Sequence, residues 1–183
     1  MRCKRYAGRH AASAFSLLEL LVAMTVTSIL LLLALPAGAD WLRAYRQMNQ
    51  AQALAGALDV ARSEAIKHNG RVNLCKSVDL RECTRAGGWE SGWVMFADGD
   101  DDGLVGESTI VGTEPRSPAD ITIRGNVPVA DYVSYTAMGM ARTRSGALQM
   151  GTFTICSKGQ NALHVVLAES GRVRIDRGST RCA

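Results

Sequence analysis

Histidine is nearly missing from this chain: His10, His68 and His164 are the only three in 183 residues. Nucleophilic or general acid–base catalysis needs a base, a nucleophile and an orienting group that converge. His10 lies in a basic leader, His68 at the end of a helical pattern and His164 alone in a strand pattern, so no such set assembles and no enzyme is expected. The five cysteines include no Cys-x-x-Cys pair, which removes the spacing of a structural zinc site; neither a metal nor a cofactor is expected. Aromatic residues make up 5% of the chain, too few beside its basic residues for a base-stacking surface. Internal repeats and low-complexity tracts are also absent, which leaves material for one globular domain after the N-terminal segment.

Charge is missing from one long stretch. Residues 14–36 read AFSLLELLVAMTVTSILLLLALP with a single carboxylate, Glu19, and residues 20–39 carry no charged side chain. That run is about as long as the ~20 residues a helix needs to cross a bilayer. Arg2, Lys4, Arg5 and Arg9 precede it, as on a cytoplasmic flank. An ordinary secretory signal would close its apolar run with a small-residue cleavage site, whereas this one passes into a helical pattern. A carboxylate inside an apolar span is costly without a partner, so Glu19 asks for one.

Ala14, Phe15 and Glu19, with Ser16, Leu17 and Leu18 between them, resemble the class III signal of type IV pilins and type II secretion pseudopilins. That family generally has Gly where Ala14 stands. The resemblance implies cleavage between Ala14 and Phe15 by prepilin peptidase on the cytoplasmic side, then N-methylation of Phe15. It also implies that Glu19 serves assembly, its partner being the new N-terminal ammonium of a neighbouring subunit. Loss of the leader's basic residues would take the formal charge from +4 to neutrality.

Beyond Pro36, Trp41, Tyr45, Met48, Leu54, Leu58, Ala61 and Ala65 recur at spacings of mostly three and four, while Arg43, Arg46, Gln47, Asp59, Arg62 and Lys67 lie mostly off that stripe. One helix from about Phe15 to His68, roughly 80 Å at 1.5 Å per residue, accounts for both halves. Pro36 is its point of bending, and Asn69-Gly70 ends it, with Gly supplying a left-handed cap. Strands are expected at residues 71–75, 93–97, 108–112, 121–124, 132–135, 151–156, 163–167 and 172–176, rich in β-branched and aromatic residues and bounded by Gly, Pro, Asp and Ser. Residues 113–119 and 138–146 read as loops. The resulting divisions are a leader (1–14), a transmembrane or filament-core helix (15–39), an amphipathic continuation (40–69) and a β-rich head (70–183).

Cys3 falls in the leader. Cys75, Cys83, Cys156 and Cys182 remain, an even set for a domain facing an oxidising compartment. They allow three connectivities, of which sequence order favours Cys75 with Cys83 and Cys156 with Cys182.

The run LDVARSEAIKHNGRVNLCKS at residues 58–77, with Ala61, Arg62, Ser63, Glu64, Ala65 and Ile66 ahead of Cys75, is similar to the FimT/GspH group of minor pilins. So is GWVMFADGD at residues 92–100, with its Gly-Trp, apolar, Phe, Asp order. The resemblance implies an α+β type IV pilin fold, a long N-terminal helix packed on a β-rich head.

Two constellations remain. Asp98, Asp100, Asp102 and Gly103 reproduce the first half of a calcium loop. Its second half fails, because Thr109 holds the twelfth position and Glu107 sits two residues early; an acidic hairpin turn is the plainer reading. The other is basic. Between residues 140 and 183 seven basic residues stand against two acidic ones, and between 79 and 131 four basic residues stand against eleven acidic ones. This segregation predicts an electropositive end suited to a phosphate backbone. Arg172 and Arg174 are two apart on an expected strand and so share a face, Arg177 and Arg181 follow, and Arg142 and Arg144 are candidates for the same surface. Arginine forks suit phosphate oxygens, whereas solvated arginines guarding a strand edge are the plain alternative.

Gly171, Arg172, Val173 and Arg174 form a Gly-Arg-x-Arg motif that resembles the DNA-binding FimT proteins of natural transformation. That likeness implies a minor pilin, first in the inner membrane with a periplasmic head and then in a surface filament with other pilins. Its head would bind double-stranded DNA through Gly171, Arg172, Arg174, Arg177 and Arg181. The alternative is a minor pilin or pseudopilin that primes filament assembly without a ligand.

Overall fold

The computed structural model describes residues 16–106 and 109–183, with the side chains of all of these except 33–37. Ala14, Phe15 and Glu107 lie outside the described residues. Helix α1 covers Leu17–Lys67. Ser16 caps it, its Oγ accepting the backbone N–H of Glu19 at 3.2 Å. Ser16 and Glu19 therefore stand at the two positions of a capping-box sequence, and an acidic side chain in the first turn also suits the helix dipole.

Within the apolar stretch the hydroxyls of Thr25, Thr27 and Ser28 bond back to the carbonyls of Val22, Ala23 and Met24 at 2.7–2.8 Å, which satisfies polar groups without water. Among the described residues no helix is long and apolar enough to cross a membrane. The expected span over 15–39 draws on Phe15 and on side chains 33–37, which fall outside those residues.

The helix ends as a Schellman motif. The N–H of Gly70 bonds the carbonyl of Ala65 at 3.1 Å and that of Asn69 bonds Ile66 at 3.2 Å. The left-handed residue is Asn69, at φ 48°, not Gly70 as expected; asparagine tolerates this region and can take the position usually held by glycine.

The chain divides into two compact units, one reaching Ala39 and the other Asp40–Ala183. In the second, eight antiparallel strands among the described residues form two four-stranded sheets. One has the order β3 (Thr109–Glu114), β2 (Trp93–Asp98), β1 (Arg71–Lys76), β5 (Tyr132–Tyr135). The other has the order β4 (Ile121–Gly125), β6 (Gly151–Ser157), β7 (Asn161–Leu167), β8 (Val173–Arg181). All eight expected strands are present. The last runs five residues further than expected, and the expected loop at 113–119 begins inside β3.

One core joins the helix to both sheets. Ala51, Leu54, Leu58, Ala61 and Ala65 are fully buried, at helical spacing. They pack with Val72, Leu74 and Met95 of the first sheet and with Ile123, Phe153, Ile155 and Val165 of the second. Burial of each leucine contributes about 1.5–3 kcal/mol. The buried stripe starts about two turns later than the sequence pattern indicated. Trp41 and Tyr45 are 69% and 54% exposed and stack on each other. Gln47, expected off the stripe, is 2% exposed because its amide donates to the carbonyls of Ile155 and Asn161 at 2.8 and 2.9 Å, spanning two strands of the second sheet.

Disulfides join Cys75 to Cys83 and Cys156 to Cys182, the pairing that sequence order favoured. The first closes a loop beside Lys76. That lysine is 3% exposed, pairs with Asp131 at 2.8 Å and donates to the carbonyls of Arg85 and Gly87.

Candidate nucleic-acid interface

Strand β8 is the edge of its sheet, so one side of its backbone has no neighbouring strand. Leu167 pairs with Val173, Val166 with Arg174, Val165 with Ile175 and His164 with Asp176. Val173 and Ile175 pack against the core. The alternate residues therefore look outward, and Arg172 and Arg174 share that exposed face, as expected. Arg172 pairs with Ala168, whose N–H bonds its carbonyl at 2.9 Å; its side chain is exposed and makes no hydrogen bond or ion pair with the described residues. Arg174 is 62% exposed and its Nε donates to the Asp176 carboxylate at 2.9 Å, which offsets part of its charge.

The turn before β8 is fixed by Gly171. Its φ is +79°, and a Cβ built there would lie 2.1 Å from the backbone oxygen of Gly139. No side chain fits. Gly139 in turn packs on Ile66 and accepts a 2.9 Å hydrogen bond from Arg62, so the arginine-bearing turn is anchored through one loop to the last turns of α1. Tyr135, fully buried, donates to the Gly171 carbonyl at 3.4 Å, and burial pushes its phenol well above the ordinary range.

Arg177 and Arg181 do not join this face. Arg177 stands opposite Leu163, whose side chain is turned to the core. The register then shifts: Arg181 faces Asn161, so three residues of β8 stand opposite Ala162 alone. Arg177 and Arg181 line a groove of about 460 Å³ with Ala44, Met48, Ala162 and Leu163. Arg181 donates to the carbonyl of Gly159 at 3.1 Å. Alternation along the strand, interrupted by the bulge, sends these two arginines away from Arg172 and Arg174.

Arg142 and Arg144 are elsewhere again, on the hairpin after β5, beside the other sheet. Arg142 bonds the Gly146 carbonyl at 3.0 Å, and the Arg144 guanidinium lies against Gly103 in the acidic β2–β3 loop. The C-terminal arginines therefore do not gather into the one electropositive end that their count predicted, because the chain crosses from one sheet to the other between residues 135 and 151.

One residue on the outward face escaped the sequence reading. Arg124 of β4 pairs in register with Thr154, Thr154 with His164 and His164 with Asp176, so these four form a row across the sheet. At about 4.8 Å per strand the row spans about 14 Å. Arg124 contacts Glu90, and Glu90 also accepts the N–H of Ile123 at 3.0 Å. Burial raises the Glu90 carboxyl, but the hydrogen bonds from Arg124 and Ile123 outweigh it and hold the group below its ordinary value. Along the chain Arg124 lies in an acidic stretch, and only strand pairing brings it beside β7 and β8.

A long N-terminal helix continuing into a head of antiparallel sheets is the architecture of the type IV pilin class. Residues 50–171 match the family model described as Type II transport protein GspH, and residues 9–35 match the prokaryotic N-terminal methylation motif. The chain belongs to the GspH family. Its fold resembles that of the type IV minor pilin FimU of Pseudomonas aeruginosa strain PAO1, with 18% identity, a TM-score of 0.59, and 75% of this chain and 92% of the other covered. It also resembles the minor pseudopilin EpsH from the type 2 secretion system of Vibrio cholerae, with 15% identity, a TM-score of 0.50, and 74% and 99% covered. No curated protein sequence matches the chain.

Proposed function

We propose that this GspH-family chain is a minor pilin of a type IV pilus that binds extracellular double-stranded DNA without sequence preference, in natural transformation. The observation that carries this reading is the exposed Arg172 and Arg174 pair, held on one face of an edge strand by the turn at Gly171. Their Cα atoms are about 6.6 Å apart along the strand, so the two guanidinium forks can engage separate phosphate groups. Arg124 adds a third guanidinium to the same face, whereas Arg177 and Arg181, in the groove on the other side of the sheet, are not part of this surface. In this reading prepilin peptidase cuts between Ala14 and Phe15, Phe15 is N-methylated, and Glu19 pairs with the ammonium of the next subunit. The helix holds the protein in the inner membrane until assembly, with the head periplasmic, and retraction of the filament draws bound DNA toward the cell.

A second reading, a minor pilin or pseudopilin that primes filaments without a ligand, is favoured by a different observation. Gly171 is required by its packing on Gly139 alone, and Arg174 already has Asp176 as partner. A mobility-shift titration of the full-length chain in mild detergent separates the two. DNA binding should weaken with salt, and Arg172→Ala with Arg174→Ala should lower the slope of log affinity against log salt by about 2, at about 0.9 per phosphate contact. Absence of a shift at low salt, or equal binding by the double variant, would sink the DNA reading.

A further inference from the structure

The acidic β2–β3 loop has a feature that its sequence concealed. Asp98, the last residue of β2, is 1% exposed. Its Oδ2 accepts the Asn73 amide at 2.5 Å and the Gly103 N–H at 3.0 Å, while its Oδ1 is buried with no hydrogen-bond partner among the described residues. Asn73, on β1 and 2% exposed, likewise has a buried Oδ1 without a partner among the described residues. A buried carboxylate oxygen with no donor is costly, and the Asp98 carboxylate stands beside two others. Asp98, Asp100 and Asp102 each offer one oxygen, and the three lie within 4.8 Å of one another.

We propose that Asp98, Asp100 and Asp102 hold a calcium ion, with the buried Oδ1 of Asp98 as its fixed ligand. Calcium binds oxygens at about 2.4 Å, so ligands on opposite sides of the ion lie about 4.8 Å apart, the span that encloses these three atoms. Asp101 is diverted out of the set by Arg71, 2.6 Å away, which leaves the carboxylates at alternate positions. Gly103 makes the sharp turn at φ +69°. The Arg144 guanidinium lies close by against Gly103 but forms no ion pair with these carboxylates.

Thr109, the twelfth loop position, lines the same cleft as Asp100 and Asp102. The position that supplies a bidentate carboxylate in a full calcium loop therefore returns to the site, but brings a hydroxyl. Three carboxylates with water completing the shell correspond to a weak site, at about 0.1–1 mM, the range of extracellular modules. Flexible coordination by two exposed aspartates fits calcium better than magnesium, which demands near-ideal octahedral geometry.

The test is thermal unfolding of the full-length chain in mild detergent, stripped with chelator and titrated with calcium chloride. Saturable stabilisation is expected, about 3–6 °C at ten times the dissociation constant. Asp100→Asn with Asp102→Asn, both exposed, should fold, melt normally in chelator and lose the shift. Thr109→Glu should tighten binding by about tenfold or more, which supports the cleft as the site. No shift at about 10 mM calcium, a shift undiminished in the double variant, or an equal shift with magnesium would overturn the proposal.

Discussion

Gly171→Ala tests whether the glycine of the Gly-Arg-x-Arg motif is there for the fold or for a ligand. Its φ of +79° is left-handed, which costs an L-residue about 1–2 kcal/mol. The added methyl would meet the Gly139 backbone oxygen at 2.1 Å and a Tyr135 ring carbon at 3.1 Å. The first is backbone and cannot rotate aside, and Gly139 is itself pinned by Arg62 and Ile66, so overpacking adds about 1–3 kcal/mol. Together these give a loss of about 2–5 kcal/mol, which for a domain of this size lowers the melting temperature by about 5–15 °C. Thermal unfolding followed by circular dichroism, on the full-length chain in detergent, measures it directly. An unchanged melt accompanied by lost DNA binding would refute the packing argument and assign the glycine to the ligand instead.

Lys76→Met should destabilise by about 3 kcal/mol in urea titrations, because it strands two carbonyls that the buried ammonium serves and removes the partner of Asp131. Loss of the Cys156–Cys182 bridge, which spans 26 residues, should cost about 3.5 kcal/mol, against about 2.5 for Cys75–Cys83, which spans 8. Equal penalties in the two Cys→Ser pairs would contradict the loop-entropy account. Hydrogen bonds from Arg124 and Ile123 outweigh burial and hold the Glu90 carboxyl below its ordinary value in the folded state. Its contribution is therefore complete above the unfolded pKa and is lost as pH falls through the folded one. Glu90→Gln should flatten the acid limb of a stability–pH profile below about pH 4.5; an unchanged slope there would remove Glu90 from the list of acid-labile contacts.

Most of the fold was legible because periodicity carries it. Leu54, Leu58, Ala61 and Ala65 report a helix face directly, and turn residues bounded each strand closely enough for all eight to be found. The errors fall where a tertiary contact overrides a local rule. Trp41 and Tyr45 continue the apolar spacing but lie where the head provides no wall, and Gln47 is buried because two strand carbonyls need its amide. Asn69 took the left-handed position because either residue of the pair satisfies the cap and the hydrogen bonds place the turn one residue earlier.

The two sites were legible to different degrees for one reason, which is that a face is a property of strand pairing. Arg172 and Arg174 were readable as a pair because their relation is local and strand alternation decides it. Arg177 and Arg181 required the bulge opposite Ala162, and Arg124 required three rungs of ladder. The calcium proposal follows the same logic in reverse. The sequence showed the alternating aspartates but judged them a solvated turn, since what distinguishes a site from a turn there is the burial of Asp98 against Asn73 across β1 and β2. Charge counted along the chain predicted one basic end, and charge followed across the sheets gives two surfaces, an arginine edge on β8 and an acidic loop with Arg71 and Arg144 beside it. Each of these surfaces is tied to the C-terminal end of α1, the first through Gly139 on Arg62 and Ile66, the second through Arg71, just past the helix end. Changes that loosen that end of the helix should therefore disturb both surfaces together, whereas changes at Ala44 or Met48 should reach only the groove holding Arg177 and Arg181.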